Sequence, residues 1–506
     1  MRPAGTEARR AARQARGVTV VSWGVLRAVA VLAGTLALTG CVASRTKATK
    51  PAIVVPPSWS SGDASIVTTS SEDLSKWWER FGDNILSSLV EQALKNNPDV
   101  RTAQSRLREA RAQRSLAAAN RFPTATVSGS SSGNKTSGSA TTDLLSATFD
   151  ASWEPDVFGA KRKALEAANA DAAATEADLH KTQVSLAAEV ALNYVELRSF
   201  QSRVEIVRRN TASQAETLQL TEWREQAGLV SSVDVEQART NLEQARASIP
   251  SLETSIAENE HRLATLLGLT PGTLKQQLAA AAPMPSVPDT VAVGIPADTL
   301  RQRPDVHAAE QKIIAETARL RQTEAARYPT FSLGGSLGIE KLTGGALGAV
   351  TGGTLATVTG GVSKVASFSG SALQTVFDRG RIRAQIEIQN AVQEQAVISY
   401  ESTLLTALED VENALVSLAK SRERLAALNT AGTSARNAAL LARNRYTVGI
   451  ADFTTVLDTE RTVLTIEDSI AQTQADRISA LIQLYKALGG GWAPAVAVAP
   501  QKGQSK

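Results

Sequence analysis

Asp143-Leu144-Leu145-Ser146-Ala147-Thr148-Phe149-Asp150-Ala151-Ser152-Trp153 alternates apolar and small polar residues at a period of two. Leu145, Ala147, Phe149, Ala151 and Trp153 share one face of a strand, and Ser146, Thr148, Asp150 and Ser152 share the other. Shortly afterwards the pattern changes. Lys161–Gln226 holds neither proline nor glycine, and about 66 residues of α-helix at 1.5 Å each reach about 100 Å. A half-apolar strand of about ten residues joined to a rod of that length is the combination from which the rest of the reading follows.

Three more segments alternate in the same way. In Thr330–Ile339 the apolar set is Phe331, Leu333, Leu337 and Ile339, and in Val365–Leu373 Ala366, Phe368 and Ala372 alternate with Ser367, Ser369 and Ser371. Thr124–Gly129 alternates more weakly. Strands of this length and patterning suit a transmembrane β-barrel. An antiparallel sheet with one wet face has the same pattern, and the export signal described below favours the membrane.

The chain is duplicated. Asn97-Pro98-Asp99-Val100 recurs 206 residues on as Arg303-Pro304-Asp305-Val306, and Arg121-Phe122-Pro123-Thr124 as Arg327-Tyr328-Pro329-Thr330. Downstream, Gly159 matches Gly380, Gly228 matches Gly449, and Leu267-Gly268 matches Leu488-Gly489, now 221 residues apart. The second half therefore carries about 15 more residues, in the Gly/Thr-rich stretch Gly344–Gly361. Each half reads as helix, two strands, long helix and return helix. The expected divisions are 1–40 signal peptide, 41–72 lipid-anchored segment, 73–270 first repeat, 271–297 Pro-rich linker, 298–492 second repeat and 493–506 tail.

Phe81–Asn120 reads as helical, with a first helix of about 36 residues ended by Pro123. Arg381–Val448 copies the long helix, with Val397, Tyr400, Leu404, Leu408, Val411, Leu415, Leu418 and Leu425 close to a heptad seam. Gly228 and Gly449 suit the left-handed turn that stops a helix. Ser231 and Asp452 are placed to cap the return helices, about Val233–Leu267 and Thr454–Leu488. The two shorter helices of a half together match the long one, so they are expected to stack end to end along it. Four strands leave open edges, which cannot persist in lipid. A trimer supplies twelve strands, enough for an aqueous lumen.

The single cysteine, Cys41, ends Leu38-Thr39-Gly40-Cys41. An arginine-rich start and the short apolar run Ala28–Leu38 precede it, which is a secretory signal. The ending resembles a bacterial lipobox. That resemblance implies acylation of Cys41 and removal of what precedes it, and Val42 then points to the outer membrane. One thiol excludes intrachain disulfides. The three histidines, His180, His261 and His307, lie far apart without partners at metal-ligand spacing, and no phosphate loop or nucleophile–base set occurs. No cofactor and no metal are expected, and the chain is not read as an enzyme. The net charge of +4 falls once the arginine-rich signal is removed, so nothing points to nucleic acid.

Taken together, Trp77-Trp78 with Phe81 and Asp83, Ser152-Trp153-Glu154-Pro155-Asp156 with Phe158-Gly159, Val376-Phe377-Asp378, Tyr446-Thr447-Val448-Gly449 and Leu488-Gly489-Gly490-Gly491-Trp492 resemble the TolC/OprM-type outer-membrane efflux factors, in their NodT-like lipoprotein branch. The resemblance covers nearly all of the mature chain. It implies an α+β membrane protein: a homotrimer with a 12-stranded barrel in the outer membrane, four strands per chain, continued by a coiled-coil tunnel across the periplasm. It also implies two partners, a periplasmic adaptor and an inner-membrane efflux pump. By the same resemblance Gly228, Leu229, Val230, Ser231, Val448, Gly449 and Ile450 face the adaptor, and Asp234, Tyr446, Asp458 and Arg461 form the periplasmic gate. Ala451 stands where some relatives have a gating arginine, and Thr454 where others have a leucine, so the latch is expected to be wired differently. Asp234 also reads as a helix cap, Ser231-x-x-Asp234 being a capping box. The competing function is a periplasmic adaptor lipoprotein, which would carry one helical hairpin between small β domains.

Overall fold

The computed structural model describes residues 55–61, 67–68, 74–134, 142–288, 291–294, 296–343, 355–359 and 362–492. Cys41, the signal segment and the tail 493–506 lie outside them.

In the first repeat a 3-10 turn, Trp77–Phe81, leads into α1 (Asn84–Asn96) and α2 (Pro98–Ala119). The single helix expected over this stretch is therefore two. Pro98 lacks an N–H and disfavours helical backbone before it, so the break falls at Asn97 and Pro98 opens the next helix. Asn97 Oδ1 accepts from the N–H groups of Asp99 (2.7 Å) and Val100 (3.3 Å). Strands β1 (Thr124–Asn134) and β2 (Thr142–Trp153) follow, then α3 (Ala160–Gln226) and the return helix α4 (Ser232–Leu266).

The second repeat has a short helix, Pro296–Gln302, and α5 (Pro304–Glu324), broken at Arg303 just as the first is at Asn97. It continues with β3 (Thr330–Thr343), β4 (Leu355–Thr359), β5 (Val362–Leu373), α6 (Arg381–Thr447) and α7 (Phe453–Ala487). Asn97 Nδ2 donates to the Leu266 carbonyl at 2.8 Å, and Arg303 Nη1 donates to the Ala487 carbonyl at 2.8 Å. Leu266 and Ala487 are themselves repeat equivalents. Each break thus grips an orphan carbonyl in the last turn of its own return helix, with an amide in one half and a guanidinium in the other.

The strands form one antiparallel sheet in the order β1-β2-β3-β5-β4. Val127, Phe149, Leu337 and Ala366 lie in register across it. The next row is Ser128, Thr148, Gly338 and Val365, on the opposite face. The apolar face is open: Val127 is 80% and Phe368 82% exposed. The other face is laced by cross-strand hydroxyl pairs, Ser128–Thr148 and Ser130–Ser146 at 2.8 Å and Ser332–Ser371 and Ser336–Ser367 at 2.6 Å. Gly338 is needed there, since a Cβ would stand 2.8 Å from the Ala147 carbonyl oxygen. The short strand β4, in the Gly/Thr-rich stretch, was not expected; it pairs with the outer half of β5, Leu355 opposite Ala366 and Thr359 opposite Val362.

The helices pack in a matching order. α3 lies against α2 and α4 of its own half and against α5 and α7 of the other, while α6 packs on α5 and α7. The shorter helices do stack along the long ones. Among the described residues no helix is long and apolar enough to cross a membrane.

The main core lies midway along the rods, where both helix breaks and the linker meet. Trp77 stacks on Tyr485 at 5.5 Å, among buried Phe81, Leu86, Leu263 and Leu278. Arg198 is buried beside them. Its Nε donates to Tyr194 Oη at 3.1 Å and its Nη1 to the Ala280 carbonyl at 2.7 Å, and Tyr194 Oη donates to Asp83 Oδ2 at 2.7 Å. Burial and the Asp83 carboxylate push the Tyr194 hydroxyl up to about 12. These bonds lash the linker to the middle of α3.

Candidate functional site

The far tips of the rods are two equivalent turns. After α3, Gly228 adopts φ +70°, its N–H donates to the Glu225 carbonyl and the Leu229 N–H to that of Arg224, both at 2.8 Å. After α6, Gly449 adopts φ +78°, with bonds to Tyr446 (3.0 Å) and from Ile450 to Arg445 (2.9 Å). This is the Schellman arrangement, whose left-handed residue is strained unless it is glycine.

The return helices start differently. The Ser231 N–H and Oγ both donate to Asp234 Oδ2 at 3.1 Å, so the capping box is present. Asp452 opens α7 through its carbonyl, which accepts from the Thr455 N–H at 3.1 Å, and its side chain makes no capping bond.

Leu229, Val448 and Ile450 stand exposed on the turns, with Val233 beside them. Val230 instead tucks against a small core of Ala238, Ala442, Tyr446, Phe453, Val456 and Leu457.

The four residues assigned to a gate are not one cluster inside the protomer. Tyr446 is buried, with its ring 5.6 Å from Phe453 and its hydroxyl 3.4 Å from Thr221 Oγ1. Arg461 Nη2 donates to Asn241 Oδ1 at 2.5 Å. Asp458 and Thr454 are exposed, and Asp234 serves its own cap. Among the described residues neither acid pairs with Arg461 in one chain.

Two polar residues at this end escaped the sequence reading. Arg224, in the last turn of α3, donates through Nη1 to the Tyr446 carbonyl and lies 4.4 Å over the Tyr446 ring. Its only sequence signal is a cation in a final helical turn. Glu460 is buried between α7 and α3. Thr217 Oγ1 donates to its Oε1 at 2.9 Å, while its Oε2 has no partner, and burial pushes the carboxyl up. Asn210, Gln214, Thr217, Thr221, Asn241 and Thr473 are buried too, so the tip half of the bundle has a polar seam where the middle has Leu186, Val190 and Leu197. Polar seams cohere less than apolar ones and open more readily.

Among the described residues no group of three or more potential metal ligands occurs. The signature of outer membrane efflux proteins matches residues 89–269 and 295–490. The chain belongs to the outer membrane efflux protein family. The two matched stretches coincide with the two repeats. Nodulation protein T of Rhizobium leguminosarum bv. trifolii is 29% identical over 470 residues, 91% of this chain and 96% of the relative. The pyoverdine export outer membrane protein OpmQ of Pseudomonas aeruginosa is 31% identical over 438 residues, 84% of this chain and 89% of the relative. Among solved structures, the outer-membrane channel OprN superposes with a TM-score of 0.80 at 34% identity, covering 88% of this chain and 99% of that one.

The fold expected from the sequence is that of these outer membrane efflux proteins: a trimeric outer-membrane barrel, four strands per chain, continued by a helical tunnel. The chain is the outer-membrane channel subunit of a tripartite efflux system. The relatives are channel proteins rather than enzymes.

Proposed function

We propose that three copies close edge to edge along one continuous seam, and that the closed ring passes small amphiphilic molecules with little selection of its own. The observation that carries this is the agreement of edges at every level. β1, α2 and α4 border one side of the protomer, and β4, the half of β5 that it leaves uncovered, and α6 border the other. A heterologous pair of edges that closes after three copies makes a ring. The apolar face of the sheet then meets lipid and the hydroxyl face lines the lumen. Serine and threonine hydroxyls hydrate a passage, and Asp150, held by Thr148 at 2.8 Å, and Glu340, in register with Ser146, are the acids among them. The relatives' names span pyoverdine export and toluene efflux, which suits a channel whose specificity is set by the pump that feeds it.

The turns at Gly228 and Gly449 present Leu229, Val448 and Ile450 to a periplasmic adaptor. Asp234 and Asp458, three copies of each, narrow the axis with Tyr446 and Arg461 in support. Cys41 adds an acyl anchor. The decisive experiment is dye export: cells lacking the chain retain a fluorescent amphiphile, and wild type restores its release. Restored release by a chain that stays monomeric in the outer membrane rejects the seam.

A further inference from the structure

We propose that the junction between strands and long helices is a binding band for the phosphates of anionic phospholipids in the periplasmic leaflet. Six arginines lie at this one level of the fold. Arg121 and Arg327 close the upstream helices, Arg162 opens α3, and Arg379, Arg381 and Arg383 open α6. All six are exposed, and among the described residues none of their guanidinium groups makes an ion pair or hydrogen bond within the protomer. Elsewhere on the rods arginines are commonly paired, as Arg203 is with Asp468 and Arg319 with Asp171.

The acids at this level are mostly occupied. Glu154 holds Lys161 at 3.3 Å, and Glu166 holds Lys163. Asp156 accepts from the Lys161 and Arg162 N–H groups, and Asp378 from those of Gly380 and Ile382. Bonded only to neutral N–H groups, Asp156 and Asp378 keep their charge, and with Glu324 and Glu387 further along their helices they set four acids against six cations. Ring closure does not supply the missing charge. In the seam proposed above the start of α6 lies beside the end of α2, where Arg108 and Arg114 stand with the acid Glu109 and Arg111 is already paired with Glu176 at 3.2 Å. The seam therefore adds no net negative charge, and the excess of cations at the junction is left for an anion from outside the protein.

What lies outside is set by the neighbours. Immediately above the arginines is an aromatic band, Phe158 stacked on Tyr328 at 4.8 Å and 6.3 Å from Phe331 on the lipid-facing side of β3. Aromatic girdles mark the membrane–water boundary of a barrel. Guanidinium groups just below such a girdle stand at headgroup depth, where a fork of N–H donors meets phosphate oxygens in matching geometry. Arg379 is the one described residue other than glycine with a left-handed φ, +52°, a backbone state that a side chain adopts at a cost.

The inference rests on the outer-membrane placement of the sheet, and its test reads assembly separately. Full-length trimer in neutral detergent is titrated with phosphatidylglycerol, with phosphatidylcholine and with inorganic phosphate, and bound lipid and oligomeric state are counted in the same native mass spectra. Wild type is expected to hold phosphatidylglycerol at least tenfold more tightly than phosphatidylcholine, with inorganic phosphate failing to displace it. In R379Q/R381Q/R383Q the preference should fall to threefold or less while the trimer persists, and R121Q/R162Q/R327Q provides the same reading from the other elements. Equal affinity for the two lipids in wild type, or an unchanged preference in both variants, overturns the proposal. Full displacement by inorganic phosphate overturns it as well, by showing a small-anion site. Loss of the trimer alone would count against the seam and not against the band.

Discussion

The Arg224 guanidinium covers the Tyr446 ring at 4.4 Å and donates to the Tyr446 carbonyl, so the last turns of the two long helices of one protomer are clasped together. A half-buried cation over an aromatic ring contributes about 0.5–2 kcal/mol, and the hydrogen bond about 1 kcal/mol more. Arg224→Gln should therefore speed amide exchange across residues 440–450 and raise the conductance of trimers in planar bilayers. Arg445→Gln, at the equivalent place in the other repeat, is exposed and should change neither.

Asp234→Ala with Asp458→Ala tests the constriction. Three copies of each acid around a narrow axis repel unless offset by donors or cations. The double variant should conduct several-fold better than wild type and admit a large antibiotic. Unchanged conductance in an intact trimer would leave Asp234 as a helix cap, its loss costing about 1 kcal/mol, and would move attention to Thr454.

The two faces of the sheet predict opposite tolerance. Arginine at Phe149 or Phe368 places charge in lipid at about 2–4 kcal/mol near mid-bilayer, whereas at Thr148 or Ser369 it remains hydrated. Heat-resistant trimer in outer membranes should drop sharply for the first pair and little for the second. Equal loss would reject the assignment of faces.

Glu460 gives a pH dependence with a definite sign. Its carboxyl is raised by burial, so the folded state holds the proton more tightly than the unfolded one, and stability falls as pH rises from about 4.5 through the folded value. Glu460→Gln keeps the shape and the bond from Thr217 and removes the buried negative charge, whose desolvation burdens the folded state. Thermal unfolding of variant and wild type should coincide at pH 4, and the variant should be more stable at pH 7.5. The same advantage at both pH values would show that charge is not the cause.

Cys41→Ser should abolish incorporation of labelled palmitate while leaving barrel assembly largely intact, since twelve strands hold the trimer in the membrane without the lipid. Equal labelling of variant and wild type would place the acyl chain elsewhere.

What could be read from the sequence was whatever a local period or a glycine dictates. Phe149 and Thr148 announced their faces because strand geometry leaves them no choice, and Gly228 and Gly449 announced turns because few other residues tolerate that φ. Pro98 was visible but its consequence was underestimated: beside a capping asparagine it starts a helix rather than interrupting one. Arg224 and Arg198 were illegible for a different reason. Their partners, Tyr446 and Ala280, are 222 and 82 residues away, and nothing near either arginine distinguishes it from the many that merely face water. The gate residues were assigned from resemblance. The protomer keeps Asp234, Asp458 and Arg461 apart, with Asp234 on its own cap and Arg461 on Asn241.

The strand β4 and its flanking residues sit in only one of the two hairpins. Seven residues, 135–141, join β1 to β2, while 344–361 separate β3 from β5. At the periplasmic end the duplicated glycine turns repeat nearly alike, so a trimer offers six similar landing points there. At the cell surface the hairpins alternate short and long, and the same trimer presents three. A phage or an antibody approaching from outside would meet a threefold target on a molecule whose inner end is close to sixfold.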